Sequence, residues 1–331
     1  MPGRYLLGID IGGTKTALVI GDMAGTKDTS TPPKIVDKKV FITDHQADPL
    51  EFINKILDSS ASLLSENDIS ILDLDAVGIS CGGPLDSKSG VIISPPNLPR
   101  WHNVPIIKIV ESRLEVETFL QNDANAGALA EWHYGAGRGF KNIIFLTFGT
   151  GIGAGLILDG RLYSGTNDLA GEVGHIRLER DGPMGYGKPG SFEGFCSGTG
   201  IANLARTTVT RLLENGQKVG FCSSLEAAEK ITAKDVCEAA ASGDEVAVGI
   251  LRESGKYLGK GLSILIDILN PERIIIGSIF NRCGRFMQEE AERVIAEEAL
   301  ELSRNVCSIV PSRLGENLGD YAALSVALMH Y

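Results

Sequence analysis

Apolar residues in this chain fall into two kinds of stretch. Short runs rich in Ile, Val, Leu and Phe occupy 4–10, 16–21, 35–43, 76–80, 116–121, 143–148 and 152–158. Such runs, bounded by Gly, Pro, Asn or Asp, predict strands. Between them, apolar positions recur every third or fourth residue. Residues 49–64 carry Phe52, Ile53, Ile56, Leu57, Leu63 and Leu64 in that spacing, which predicts a helix with one buried face. Helices are also predicted at 105–115, 124–134, 200–214, 224–241, 244–268 and 320–330, with Asn270-Pro271 closing the long one. Arg273–Ile276 reads as a buried strand, and the polar stretch 24–33 as a loop. Strands alternating with helices imply an α/β fold.

Two strand pairs stand out. The runs 4–11 and 16–21 flank Gly12-Gly13-Thr14, and the runs 143–148 and 152–158 flank Gly149-Thr150-Gly151. Glycine lets the backbone curl so that successive N–H groups point into one concavity, an anion nest suited to phosphate. A plain hairpin with a glycine turn is the competing reading of each. A P-loop is excluded, because Thr14 stands where that motif needs Lys. Gly149, Gly151 and Ala154 fit the dinucleotide fingerprint in letter, but Leu156–Gly160 reads as a strand and turn where a helix is required. The recurrence suggests two related lobes gripping one nucleotide.

Charge narrows the partners. The chain of 331 residues, long enough for two domains, has 31 Lys and Arg against 42 Asp and Glu, a net charge of −11. A nucleic-acid or anionic-membrane surface would need the opposite sign. The most apolar long stretch, Leu258–Phe280, contains Lys260, Asp267, Pro271, Glu272 and Arg273, so no membrane span is expected. No secretory leader is visible. The six cysteines are scattered without a Cys-x-x-Cys pair, which predicts free thiols and a cytoplasmic location.

Four motifs then resemble one family. Asp10–Thr16, Asn122-Asp123-Ala124-Asn125, Gly149–Gly153 and Gly171-Glu172-Val173-Gly174-His175 occur in the order seen in ROK (repressor, open reading frame, kinase) proteins. The resemblance covers nearly the whole chain. It implies a two-lobed, actin-like (ribonuclease H-like) α/β fold with ATP and sugar in an interlobe cleft. The expected lobes are 1–121 with 318–331, and 122–317. It also implies an ATP-dependent hexose kinase.

The residues suit that chemistry. Phosphoryl transfer needs phosphate donors, a metal and a base near the attacking hydroxyl. Gly12, Gly13, Thr14, Thr150 and Gly151 can supply donors, with Lys15 beside them. Asp10 ends the first strand at the same edge and could hold hydrated Mg²⁺, or simply cap the turn. Asp123 could be the general base or a helix N-cap; residues alone favour the cap, and the family resemblance favours the base. The resemblance also assigns sugar contacts to Asn122, Glu172, His175 and Glu193, with Gly83 and Asn97 contributing from neighbouring loops. Gly277-Ser278 resembles the adenosine-side Gly-Gly turn with its second glycine replaced.

One departure concerns zinc. The family commonly carries three cysteines after the histidine, completing a Cys₃His site. Here Met184, Tyr186 and Ser191 stand at those positions while the glycines and Glu193 remain, so no zinc is expected. The reading is a glucokinase-like 6-phosphotransferase. An N-acetylmannosamine or N-acetylglucosamine kinase is the near alternative; a sugar-sensing repressor or a silent sugar-binding protein is more distant. Asp10 lies too close to the start for a preceding DNA-binding domain. Similar enzymes commonly form homodimers.

Overall fold

The first apolar run, β1 (Tyr5–Ile11), sits at the centre of a five-stranded sheet in the computed structural model, which describes residues 4–23 and 31–329. Its neighbours are β2 (Lys15–Asp22), antiparallel, and β4 (Leu74–Cys81), parallel. β3 (Lys34–Ile42) forms one edge and β7 (Thr118–Asn122), parallel to β4, the other. Burial follows position. Leu6, Leu7, Ile9 and Ile11 of β1 are buried, whereas β3 alternates exposed and half-buried residues as an edge strand should. Short strands β5 (Leu85–Asp86) and β6 (Val91–Ile92) form a separate hairpin.

Helices α1 (Pro49–Glu66) and α2 (Ile106–Leu114) cover one face of this sheet, where Phe52, Ile56, Leu57, Trp101 and Val110 join Leu7, Ile9 and Leu18 in a common core. Asp48 caps α1 by accepting from the Leu50 N–H, and Pro49 occupies the first turn, where its missing N–H costs nothing. The alanine-rich α3 (Asp123–Tyr134) follows β7.

The second sheet has the order β10-β9-β8-β13-β14. β8 (Ile143–Phe148) and β9 (Ile152–Leu158) carry the second glycine turn; β10 is Arg161–Leu162. The hairpin of β11 (Met184–Gly185) and β12 (Lys188–Pro189) precedes α4 (Phe192–Cys196) and α5 (Gly198–Glu214). The helix predicted over 224–241 is two: α6 (Leu225–Ala228) and α7 (Ala233–Ala241), broken where Thr232 and Asp235 form a capping box that starts α7 afresh. α8 (Glu245–Leu269) ends on Asn270 in the left-handed conformation (φ 43°), just before Pro271. β13 (Arg273–Ile276) lies parallel to β8 and to β14 (Ser308–Pro311). Short α9 (Ile279–Cys283), α10 (Gln288–Glu298) and α11 (Glu301–Arg304) separate β13 from β14. No helix among the described residues is long and apolar enough to cross a membrane.

The final helix, α12 (Leu318–Ala327), covers the other face of the first sheet. Gly8 and Gly78 are partners in register there, and a side chain on Gly78 would strike the Ala323 carbonyl and the Ala327 nitrogen. Two glycines thus let a helix backbone settle on the strands. α12 also packs on α3 through Ala126, Ala130, Ala322 and Val326. Small residues on both helices explain why α3 is buried nearly all round.

The chain divides into two compact units: Met1–Gly139 with Gly155–Ala170 and Arg313–Tyr331, and Phe140–Ala154 with Gly171–Ser312. Packing against α12 puts α3 in the first unit, whereas the sequence placed a lobe boundary at residue 121. Most of the loop expected over 24–33, and His330, lie outside the described residues. The expectation of free thiols requires correction: Cys237 and Cys283 form a disulfide across 46 residues, with Cα atoms 5.5 Å apart, while Cys81, Cys196, Cys222 and Cys307 are free.

Candidate active site

In the first unit, β1, β4 and β7 are parallel and end together. Asp10 pairs in register with Ser80, and Cys81 with Asn122. The loops leaving these carboxyl ends therefore gather at one edge, the usual ligand side of an open α/β sheet. The glycine turn of β1 and β2 is closed by Gly12 N–H donating to the Lys15 carbonyl at 3.0 Å. Thr43 braces it: its N–H donates to the Thr14 carbonyl, its hydroxyl donates to the Gly12 carbonyl at 2.8 Å, and the same hydroxyl lies 2.9 Å from that of Thr16. Asn97 lies over the turn, so close that a side chain on Gly13 would meet its amide; Gly82 also faces Asn97, and Gly83 faces Asn122.

Asn122 and Asp123 divide their work. Asn122 has extended backbone (φ −72°, ψ 157°), and its Oδ1 accepts from the Asn125 N–H at 2.8 Å. Asn122 is therefore the N-cap of α3, and Asp123 is the first helical residue. Asp123 is exposed while residues on both sides are buried; one of its oxygens accepts from the Ala124 N–H at 2.9 Å. Gln121 Oε1 accepts from the Asn122 N–H and the Asn125 side-chain amide, fixing the cap from behind.

Asp10 completes this edge. Burial pushes its carboxyl up to about 7; a hydrogen bond with Ser80 lowers it, the charges of Asp123 and Asp320 raise it, and Lys38 lowers it. Asp320, buried in the first turn of α12, is held by the Lys38 ammonium at 2.6 Å. Gly319 leaves Asp10 room, since a side chain there would approach its Oδ2. The sequence reading missed Thr43, Asp320 and Lys38. The Lys15 side chain is exposed at the start of β2.

In the second unit the turn Gly149-Thr150-Gly151 is tied to the start of α5. Gly198 N–H donates to the Gly149 carbonyl at 2.7 Å, and the Thr199 hydroxyl to the Thr150 carbonyl at 3.0 Å. Glu193 Oε2 accepts from the Ile152 N–H at 3.0 Å and leaves no room for a side chain on Gly151. Beyond the turn lies a cavity of about 900 Å³, lined in part by Thr150, Thr199, Lys234, Ser278 and Arg282. Gly277 donates its N–H to the Leu146 carbonyl and delivers Ser278 to the cavity wall. Thr199, Lys234 and Arg282 had no motif to reveal them.

Glu172 precedes a short 3₁₀ turn, Val173–His175, and His175 ends it; both are exposed. Gly171 (φ 92°) packs on the Ala154 carbonyl, and its own carbonyl accepts from the Ala154 N–H at 2.8 Å. The imidazole of His175 meets the Tyr186 ring edge-on at 5.0 Å, while the Lys188 ammonium donates to the His175 carbonyl at 2.6 Å. Tyr186 and Gly187, both left-handed (φ 45° and 74°), make the turn of β11 and β12. Ser191 caps α4 by accepting from the Gly194 N–H. Met184 points to solvent.

Residues 6–329 match the ROK family. The chain belongs to this family. A glucokinase of Halalkalibacterium halodurans is 33% identical over 86% of this chain and 83% of its own length. A glucokinase of Thermotoga maritima is 32% identical over 98% of both chains. The crystal structure of a ROK glucokinase from Streptomyces griseus in complex with glucose and AMPPNP superposes with a TM-score of 0.76, at 28% identity, covering 98% of this chain and 99% of that one. The fold is that of the actin-like ATPases. A DNA-binding regulator is similar as well: the transcriptional dual regulator NagC of Escherichia coli is 28% identical over 96% of this chain and 77% of its own.

Proposed function

We propose that this ROK protein is an ATP-dependent sugar kinase that phosphorylates the 6-hydroxyl of a hexose, as a glucokinase does. The observation that carries this reading is the division of labour at the start of α3. Asn122 takes the cap, which leaves an exposed Asp123 carboxylate at the carboxyl edge of the parallel strands. Asp123 would accept the proton of the attacking hydroxyl. Asn122, Asn97 and Gly83 would hold neighbouring hydroxyls; we assign Glu172, His175 and Glu193 to the sugar as well.

The two braced turns suit a polyphosphate. Gly13, Thr14 and Lys15 in the first unit, with the Gly12 N–H closing their turn, and Thr150 and Gly151 in the second, present N–H groups and hydroxyls of the kind that position phosphate. The cavity beyond Thr150, with Ser278 in its wall directly after Gly277, has the size expected for a nucleoside. Asp10 fits a hydrated Mg²⁺: it is a hard oxygen donor whose ionisation is opposed first by burial and then by the charges of Asp123 and Asp320, and a cation would offset both. Bound there, Mg²⁺ would neutralise charge on the transferring phosphate.

A coupled assay of ADP release across hexoses and N-acetylhexosamines tests the proposal. Turnover with glucose is expected to lead. Asp123→Asn should lose the ~10²–10⁴-fold typical of acid–base catalysis while keeping sugar affinity. No sugar-dependent turnover, or near-normal rates in the folded variant, would refute it. Preference for an N-acetylhexosamine would keep the mechanism and change the substrate.

A further inference from the structure

The cavity that we assign to the nucleotide has a covalent tie in its wall. Cys237 lies in the middle of α7, is half-buried, and lines the cavity beside Lys234 and Glu238. Cys283 ends α9 and is fully buried. Their Cα separation of 5.5 Å falls in the range a disulfide spans without moving the backbone. The bridge joins two elements that reach the cavity from opposite directions in sequence. α7 follows the Thr232 cap, and α9 follows the Gly277-Ser278 turn, itself part of the wall. Residue 282, one position before the bridge, also lines the cavity.

We infer that Cys237–Cys283 is a reversible redox site that sets nucleotide affinity, a reading that rests on the cavity being the nucleotide's. The oxidant is a low-molecular-weight disulfide. The Cys237 thiolate, reachable from the cavity, attacks one oxidant sulfur and expels one thiolate. The Cys283 thiol, losing its proton to solvent, then attacks the Cys237 sulfur and expels the second. The protein loses two electrons and two protons, and the oxidant becomes two thiols. A small-molecule thiol reverses both steps, starting at the accessible Cys237 sulfur. Closed, the bridge fixes α7 against α9 and preorganises the wall, which lowers the cost of binding. Open, the two helices are held by packing alone. Because coupling is reciprocal, bound nucleotide must favour the closed bridge by the same factor that the bridge favours nucleotide.

The test compares the intact protein after oxidised glutathione with the same protein after excess dithiothreitol. Thiol titration in denaturant should count four groups in the oxidised form and all six after reduction. Calorimetry with a non-hydrolysable ATP analogue should show affinity about tenfold weaker after reduction, a coupling within the usual range. Cys237→Ser should bind at the reduced value under both conditions. Six titratable thiols after oxidation, or one affinity in both redox states, would overturn the inference. Iodoacetamide labelling of Cys237 in the reduced protein tests the cavity assignment separately. If the analogue binds and fails to slow labelling, the nucleotide lies elsewhere and the switch falls with it. If it slows labelling but affinity ignores redox state, only the switch is lost.

Discussion

Single carboxylates in this molecule do different work according to what faces them. Glu193 was expected on the sugar alone, yet its Oε2 holds the Ile152 N–H directly after the second glycine turn. Glu193→Ala should therefore raise the Michaelis constants for both sugar and ATP. Glu172→Ala, which removes an exposed group, should raise only that for sugar; steady-state kinetics with each substrate varied decides, and an effect of Glu193→Ala confined to sugar would deny the bracing role. Asp10 makes a pH prediction. Its folded-state value near 7 exceeds the ordinary 3.8, so the folded protein binds the extra proton. Stability from that proton is complete below about pH 4 and is lost as pH rises through 7, a loss on the order of a few kcal/mol. Metal-free protein should lose urea resistance across that window, Asp10→Asn should lose less, and Mg²⁺ should restore the wild type. Equal pH profiles for wild type and variant would contradict the assignment. None of this was readable from Asp10 alone, because Ser80, Asp123, Asp320 and Lys38 come from four other parts of the chain. Asn122 and Asp123 posed a different limit. Both are good caps, and only the backbone angles choose between adjacent candidates.

At the scale of elements, the apolar runs marked β1, β2, β4, β8, β9 and β13 well, since buried strands need continuous apolar sequence. β14 left no such mark. It is four residues long and half-exposed, and its place beside β13 depends on a partner more than thirty residues away. The gap in the helix over 224–241 was masked because apolar spacing continues through it while the Thr232 cap interrupts the backbone. The disulfide was invisible because spacing in sequence says nothing of two helices that meet in space. Two elements carry predictions. Gly78→Ala would push α12 off the first sheet, where the clash is with backbone that cannot rotate away. It should cost about 1–3 kcal/mol or more, read as a lower urea midpoint, whereas the same change at Gly249, which faces open space within α8 and has no positive φ, should leave the midpoint unchanged or raise it. The hairpin of β11 and β12 should hold its shape without zinc. The edge-on contact of His175 with Tyr186, the Lys188 bond to the His175 carbonyl and the Ser191 cap supply local constraints. A strong chelator should leave the melting temperature of active protein unchanged; tightly bound stoichiometric zinc would show the loop to be a metal site after all.

The whole molecule is two compact units threaded by one chain, and the first is assembled from three separate stretches. Its sheet is complete by Asn122, but the face bearing Leu6, Val19 and Ala76 receives Leu324 and Ala327 from α12 and Leu328 just after it, beside Tyr134 of α3. On the ribosome, nearly two hundred residues must be made after β7 before that cover arrives. Until then an apolar sheet face stands open, and sheets in that condition attract other chains. The nascent protein therefore has a long interval in which chaperone capture competes with aggregation, and the interval closes only when the last helix emerges. A stop codon or proteolytic cut before residue 318 would make that exposure permanent, so shortened products of this gene should be found in inclusion bodies or bound to holdases rather than as a folded first unit.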